Sequence, residues 1–278
     1  MMNDIVPHIY VIHMAKHVER LRTFHEEFDH RFSYEIFEGV DVETNDTFGR
    51  QYEQWKNKYS MTEPNKDTFN WAYYLDQYPD LQKGGIRTKE GAWKHWCLFG
   101  KKEGRCSNPH VHITHKGQWG CLQSHINVLR DAIQCGYESV LIMEDDCQMN
   151  GANRPMEEEI YAAGVKKIKD LTTTIDWKII YLGAAQDEWG SVQIRDGMYI
   201  AHETRGTFAY MVHNSFYEEL VSRLEERRNR ADVYLIQLQK QYDFFVLFPN
   251  LFICDLSSSE TGPDRINEEW IPKFKWLK

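Results

Sequence analysis

The sequence predicts an α/β fold, a sheet-forming body interrupted by a mostly helical segment, and three observations carry that reading. Short apolar runs rich in β-branched and aromatic residues alternate with stretches whose apolar residues recur every three or four positions, as strands and helices packed side by side require. From about residue 43 to 115 the alternation stops, and polar, aromatic-rich sequence with glycines at 84, 85, 91, 100 and 104 replaces it. Composition fits a folded globule: 278 residues, 42% hydrophobic, 27% charged and 14% aromatic, room for one large domain or one domain with an insert.

Ile9-Tyr10-Val11-Ile12, directly after Pro7, reads as the first strand, and 16–28 as a helix with Val18, Leu21, Phe24 and Phe28 on one face. Tyr34-Glu35-Ile36-Phe37 is the second strand, closed by Gly39-Val40-Asp41, so the opening forty residues read as the βαβ start of a sheet. The body is expected over 1–48 and 114–278 and the helical insert over 49–113. Within the insert, Leu75, Tyr78 and Leu81, then Ala92, Trp96 and Phe99, predict two short helices packing their aromatics together. The α/β pattern resumes near Gly120, where Leu122, Ile126, Leu129 and Ile133 mark a helix that Gly136 can end in a left-handed conformation. The run 139–143 is a buried-type strand; further strands are expected over 177–182, 207–212, 244–248 and 251–254. A helix over 214–227 has Asn214 as its N-cap and Phe216, Leu220, Val221 and Leu224 as its buried stripe.

Charge narrows the partners. With 33 basic against 42 acidic residues the formal charge is −9, and no cluster of cations offsets it, which argues against nucleic acid. No run of eighteen apolar residues predicts a transmembrane segment, and residues 1–7 lack the basic start and apolar stretch of a signal peptide, so the chain is expected in the cytoplasm. Cysteines at 97, 106, 121, 135, 147 and 254 stand singly and are expected as free thiols. His95, Cys97, Cys106, His110, His112 and His115 offer soft donors, but their spacing matches no pair-and-pair zinc site. The stretch 270–278 mixes aromatics with cations; it suits packing of the chain end, or peripheral contact with a membrane surface.

The sharpest chemical signal is Glu144-Asp145-Asp146, immediately after the strand that ends at Met143. Ligands of open α/β sheets bind beyond the carboxyl ends of the strands, so this acidic end is placed to hold Mg²⁺ or Mn²⁺ against diphosphate oxygens. A solvated turn would use the same residues. Ser124 and His125 are expected one turn into the Gly120 helix, within reach of a phosphate or sugar hydroxyl, though a histidine satisfied inside the core reads identically. Cys121 and Ser124 lack the elbow motif and adjacent base of a nucleophile.

Gly120-Cys121-Leu122-Gln123-Ser124-His125 followed by Leu141-Ile142-Met143-Glu144-Asp145-Asp146 resembles the G-C-x-x-S-H and L-I-x-E-D-D pair of glycosyltransferase family 25, the lipooligosaccharide and collagen-type galactosyltransferases. Val11-Ile12-His13-Met14 with Lys16 and Arg20 is similar to the family's opening, with its asparagine, leucine and first arginine replaced. Gly39-Val40-Asp41, 206–210 and 231–235 extend the likeness; near the C-terminus Cys254 stands where the family has glutamine, and Ser257, Ser258 and Ser259 follow as phosphate or sugar contacts. The segment 69–105 is similar to a small module appended to some glycosyltransferases.

The resemblance implies a GT-A-like nucleotide-binding fold and an inverting transfer of galactose or glucose from a nucleotide diphosphate sugar, such as a UDP-hexose, with Mn²⁺ or Mg²⁺. The acceptor would be a hydroxyl of a glycan, a glycolipid such as lipooligosaccharide, or a protein. Asp146, and secondarily Glu144, would ligate the metal, while Asp145 would turn toward the sugar or toward backbone N–H groups. Val11, Arg20, Asp41, Ser124 and His125 would surround the donor: Arg20 can fork two phosphate oxygens and Asp41 can accept from base or ribose, although surface pairing and a turn explain these two equally well. Asp232 is the first candidate for the base that takes the acceptor proton, with Glu203 and Asp243 in reserve; a helix N-cap would also account for Asp232. Two rivals use the same residues, a metal-dependent phosphohydrolase and a non-catalytic carbohydrate-binding protein.

Overall fold

The structure, a computed structural model, describes residues 2–58, 64–67, 69–103, 105, 107, 113–186, 192–255 and 276. The chain opens as β1 (His8–His13), α1 (Val18–Phe28) and β2 (Glu35–Glu38), continues through α2 (Asp46–Lys58), and then forms α3 (Trp71–Gln77), α4 (Pro79–Lys83) and α5 (Lys89–His95). The long α6 (Lys116–Cys135) leads into β3 (Ser139–Glu144), β4 (Cys147–Met149) and α7 (Arg154–Thr172). After these come β5 (Ile179–Ala185), β6 (Gln193–Arg195), β7 (Met198–Ile200) and β8 (Arg205–His213), then α8 (Tyr217–Leu224), α9 (Ala231–Gln239), β9 (Phe245–Leu247) and β10 (Phe252–Cys254).

Eight strands form one mixed sheet in the order β2-β1-β3-β8-β5-β9-β7-β6, and β10 pairs antiparallel with β4 beside it. β2, β1 and β3 are parallel, with Ile12 level with Phe37 and Glu144, so all three release their chains at one edge. Both faces of the sheet are covered, as parallel strands require. Tyr10, Val140 and Ile142 enter a core shared with α2, α6, α8 and α9, whereas Ile9, Val11, Leu141 and Met143 enter a second core beneath α1 and α7. Each large apolar side chain so buried contributes about 1.5–3 kcal/mol. Among the described residues, no helix is long and apolar enough to cross a membrane.

Helix ends follow local chemistry. Asn153 accepts the Met156 N–H at the start of α7, Asn70 and Thr88 cap α3 and α5, and Gly136 closes α6 with φ of +68°. Several expectations are corrected. Val18 is 66% exposed, because the buried face of α1 is set by Phe24 and Phe28, whose rings pack at a tilt with centroids 4.4 Å apart. The helix cap at 214 is His213 rather than Asn214, since the His213 ring reaches the Ser215 N–H. β5 runs through Gly183 instead of stopping before it. The hairpin β6–β7, absent from the expected strands, turns at Asp196-Gly197, where Gly197 has φ of +68°.

Residues 69–100 build a small core of their own from Phe69, Tyr74, Leu75, Leu81, Ala92 and Trp96. Phe99 is not in it and is 53% exposed: residues 96–100 form a wider π turn, with Lys101 N–H bonded to the Trp96 carbonyl, and the extra residue rotates Phe99 outward. α2 lies across the expected boundary at 49 and places Tyr52 and Trp55 in the body's core.

Candidate functional site

A cavity of about 370 Å³ opens where β1 and β3 end, between the 40–43 segment and the first turns of α6. Arg20, Asp41, Ser124, His125, Glu144, Asp145 and Asp146 all line it, so seven of the nine expected site residues, scattered over 127 positions of sequence, converge on one hollow. Val11 does not. Alternation along β1 turns it into the core under α1 and presents Ile12 to the cavity instead, correcting its expected place beside a donor. Asp232 also stands outside the lining, at the start of α9, where it pairs with Arg230 at 3.5 Å. Its charge still reaches Cys121 on the cavity wall. Glu203 and Asp243 are exposed and line no part of the hollow.

The motif on α6 divides its labour by geometry. A Cβ on Gly120 would lie 2.6 Å from the Val40 carbonyl oxygen, so glycine is what lets the helix touch the 40–43 segment. Ser124 then fastens that contact, its Oγ accepting the Val40 N–H at 2.9 Å and donating to the Gly120 carbonyl at 2.8 Å. α6 begins at Lys116, which buries Ser124 deeper than one turn and commits its hydroxyl to backbone rather than to a ligand. His125, buried, sets Nε2 3.4 Å from Glu144 Oε1 and Nδ1 2.9 Å from the Tyr210 hydroxyl. Cys121, one turn before it, joins His125 and Glu144 in a cluster whose donor atoms all lie within 4.8 Å.

The three acids behave differently. Asp145 accepts from His13 Nδ1 at 2.7 Å and from Arg20 Nη1 at 3.3 Å, so both its oxygens are engaged. That corrects the expectation that it faces a sugar: it anchors Arg20 at the cavity wall. Burial opposes the charge of Glu144, but His125, the Thr207 hydroxyl at 2.6 Å and Arg20 outweigh it and hold the carboxyl below its ordinary range. Burial, with Glu144 alongside, pushes Asp146 well above the usual carboxylate range, and Asp146 Oδ1 is buried with no hydrogen-bond partner. An orphaned carboxylate oxygen beside a second carboxylate is costly unless a cation meets it. The residues present therefore fit a divalent ion.

On the opposite wall, burial disfavours the Asp41 carboxylate, yet the N–H groups of Glu43 and Thr44 and the Lys16 ammonium at 3.6 Å bring its carboxyl below the ordinary value. Lys16 and Lys116 add cations to the rim. Sequence reasoning missed His13, Thr207 and Tyr210 as parts of this site: they act on Asp145, Glu144 and His125 across 132, 63 and 85 residues, a pairing no local pattern displays. Of the soft donors weighed for zinc, His95 bonds Tyr74 in the small core, Cys97 is exposed and His115 lines the cavity; Cys106, His110 and His112 lie outside the described residues. Ser257, Ser258 and Ser259 lie outside them too, as does 270–278 apart from Trp276, which packs edge-on against Phe208. The described cysteines at 97, 121, 135, 147 and 254 are free thiols.

No protein-family model matches the chain, and no curated protein matches it in sequence. Solved structures do. A UDP-glucose pyrophosphorylase complexed with UDP-glucose aligns over 43% of this chain and 51% of its own at 10% identity and a TM-score of 0.30. The chain thus spans about half the length of that protein. An apo UDP-glucose pyrophosphorylase aligns over 89% and 91% at 10% identity and a TM-score of 0.38. A glycosyltransferase involved in the glycosylation of the major capsid of PBCV-1 aligns over 91% and 95% at 12% identity and a TM-score of 0.33. At TM-scores below 0.5 these likenesses assign nothing to the chain, and its chemistry is read from its own side chains.

Proposed function

We propose that the chain is a GT-A-like glycosyltransferase that moves a hexose, galactose or glucose, with inversion from a nucleotide diphosphate sugar to an acceptor hydroxyl on a glycan, glycolipid or protein. The observation that carries this reading is the cavity itself. It gathers a buried, orphaned Asp146 oxygen and Glu144 in one hollow with Arg20 and Lys16, an arrangement suited to a diphosphate held by a bound cation together with guanidinium and ammonium. The family 25 resemblance of 120–125 and 141–146 adds to it, because Gly120, Cys121, Ser124 and His125 of the first motif and the acidic triplet of the second line this hollow.

Glu144 and Asp146 would hold Mn²⁺ or Mg²⁺, and the ion would supply Lewis-acid stabilisation of the charge on the departing nucleotide. Arg20, steadied by Asp145 and His13, would bind phosphate oxygens in a fixed orientation. Asp41, held ionised, would accept from the ribose or base. Asp232 would take the proton of the acceptor hydroxyl, with the approach to the sugar from the α9 side of Cys121. A UDP-hexose is the expected donor.

A screen of nucleotide sugars for release of free hexose or transfer to simple glycosides tests the reading. Turnover of one UDP-hexose, at least about 100-fold lower in Asp146→Ala, is the expected result. Hydrolysis of the pyrophosphate to a nucleoside monophosphate and a hexose 1-phosphate, with no free hexose or glycoside product, would identify a phosphohydrolase instead.

A further inference from the structure

We propose that Cys121, His125 and Glu144 form a seat for a thiophilic divalent cation, taking zinc or cadmium in strong preference to magnesium. The donor reading assigns this end of the sheet to carboxylates alone, yet Glu144 has an imidazole 3.4 Å away and a thiol sulfur within 4.8 Å. Cys121 and His125 are four apart on α6 and so present their donors one above the other toward the end of β3. Their donor atoms and a Glu144 oxygen already lie within 4.8 Å of one another. A tetrahedral zinc, with bonds of about 2.0 Å to nitrogen and oxygen and about 2.3 Å to sulfur, holds such atoms about 3.3–3.5 Å apart, so side-chain shifts of about 1.5 Å or less complete the seat.

The surroundings are those of a built metal site. His125 Nδ1 pairs with the Tyr210 hydroxyl, which fixes the ring and leaves Nε2 facing Glu144. Glu144 is in turn held by Thr207 through the same Oε1. Binding would replace the Cys121 S–H bond with a sulfur–metal bond, the proton leaving to solvent, and would shift the His125 ring proton to Nδ1, where it donates to Tyr210. One thiolate, one neutral imidazole and one carboxylate around a dication make a seat of zero net charge, with a fourth position open toward the cavity. Magnesium is a poor occupant because it demands near-octahedral oxygen ligands, whereas thiolate and imidazole select zinc-like ions. The proposal needs only these three side chains and stands whether or not a sugar nucleotide binds. If both hold, the ion beside Glu144 sits in a mixed sulfur, nitrogen and oxygen environment.

The test uses the full chain, stripped with chelator and titrated with Cd²⁺ in the presence of excess Mg²⁺. One equivalent is expected to raise an ultraviolet sulfur-to-cadmium charge-transfer band. Cys121→Ser should abolish that step and weaken Cd²⁺ binding by about 10–100-fold or more, the loss that even outer partners of a metal site cause. Cys135→Ser, at the far end of α6 and exposed, should leave it intact. X-ray absorption of the zinc-loaded wild type guards against a variant that misfolds: one sulfur in the zinc shell supports the seat, and a shell of nitrogen and oxygen only overturns it. A band undiminished in Cys121→Ser, or erased by stoichiometric competition from Mg²⁺, also overturns it. Binding of UDP with Mn²⁺, measured alongside, separates this outcome from failure of the donor reading.

Discussion

α6 and the α3–α5 cluster are both helical and both aromatic at their edges, but they bury different things. The α3–α5 core is built from aromatic and aliphatic side chains, and its polar contacts are local, helix caps at Asn70 and Thr88 and the Tyr74 hydroxyl on His95 Nδ1. α6 buries Gln118, Gln123, Ser124 and His125 among its apolar residues, and Ser124 and His125 are tied to the 40–43 segment, Tyr210 and Glu144. Burying polar side chains on a helix costs stability unless each is paired, so α6 carries a constraint that its own folding does not require. The difference teaches where to look: the helix that gives up apolar packing for fixed polar contacts is the one that shapes the cavity.

Substitutions sharpen this contrast. Trp96→Ala should cost about 3–5 kcal/mol, the usual loss for a buried tryptophan, and the damage should stay within residues 69–100. Amide hydrogen exchange would show protection lost there and kept in β1, β3 and α6; loss of protection across the sheet would merge the two regions into one. Gly120→Ala should cost about 1–3 kcal/mol, because the added methyl drives against the Val40 carbonyl, which is backbone and cannot swing aside. Unlike the tryptophan variant, it should also weaken binding of UDP with Mn²⁺ by displacing Asp41.

Arg20→Ala should reduce nucleotide affinity by about 10–100-fold, the worth of about 1.5–3 kcal/mol of charge-assisted hydrogen bonding, while leaving the melting temperature nearly unchanged. An unaltered affinity by calorimetry would restrict Arg20 to steadying Asp145. Tyr210→Phe is the gentlest, about 1 kcal/mol from one lost buried hydrogen bond, visible as a changed imidazole resonance of His125 in NMR spectra. An unmoved resonance would show that the ring is fixed by Glu144 alone.

Much of this architecture was legible in the sequence, and the exceptions share a cause. The buried strand over 139–143, which the structure extends by one residue into the acidic triplet, and the left-handed Gly136 follow from local rules of burial and capping. Phe99 and Asn214 depart from the local pattern because a π turn and the side chain of His213 each shift the geometry by one residue. Val11 illustrates the two-residue period of a strand: within β1 it is Ile12, not Val11, that faces the cavity, and Met14, Lys16 and Arg20 of the same motif follow it there. As sequence, His13 is only the residue that stands where the family opening has asparagine. Its bond to Asp145 joins strands brought together by the parallel register of β1 and β3, and that register is a property of the sheet, absent from either segment read by itself.

Calorimetric titration of UDP in the presence of Mn²⁺, on the wild type and on Asp146→Ala, tests most directly whether the end of β3 holds a sugar nucleotide through a cation. The expected result is saturable, one-to-one, metal-dependent binding that Asp146→Ala reduces by about tenfold or more. Equal heats from the two proteins, or no binding to the wild type, would contradict the account.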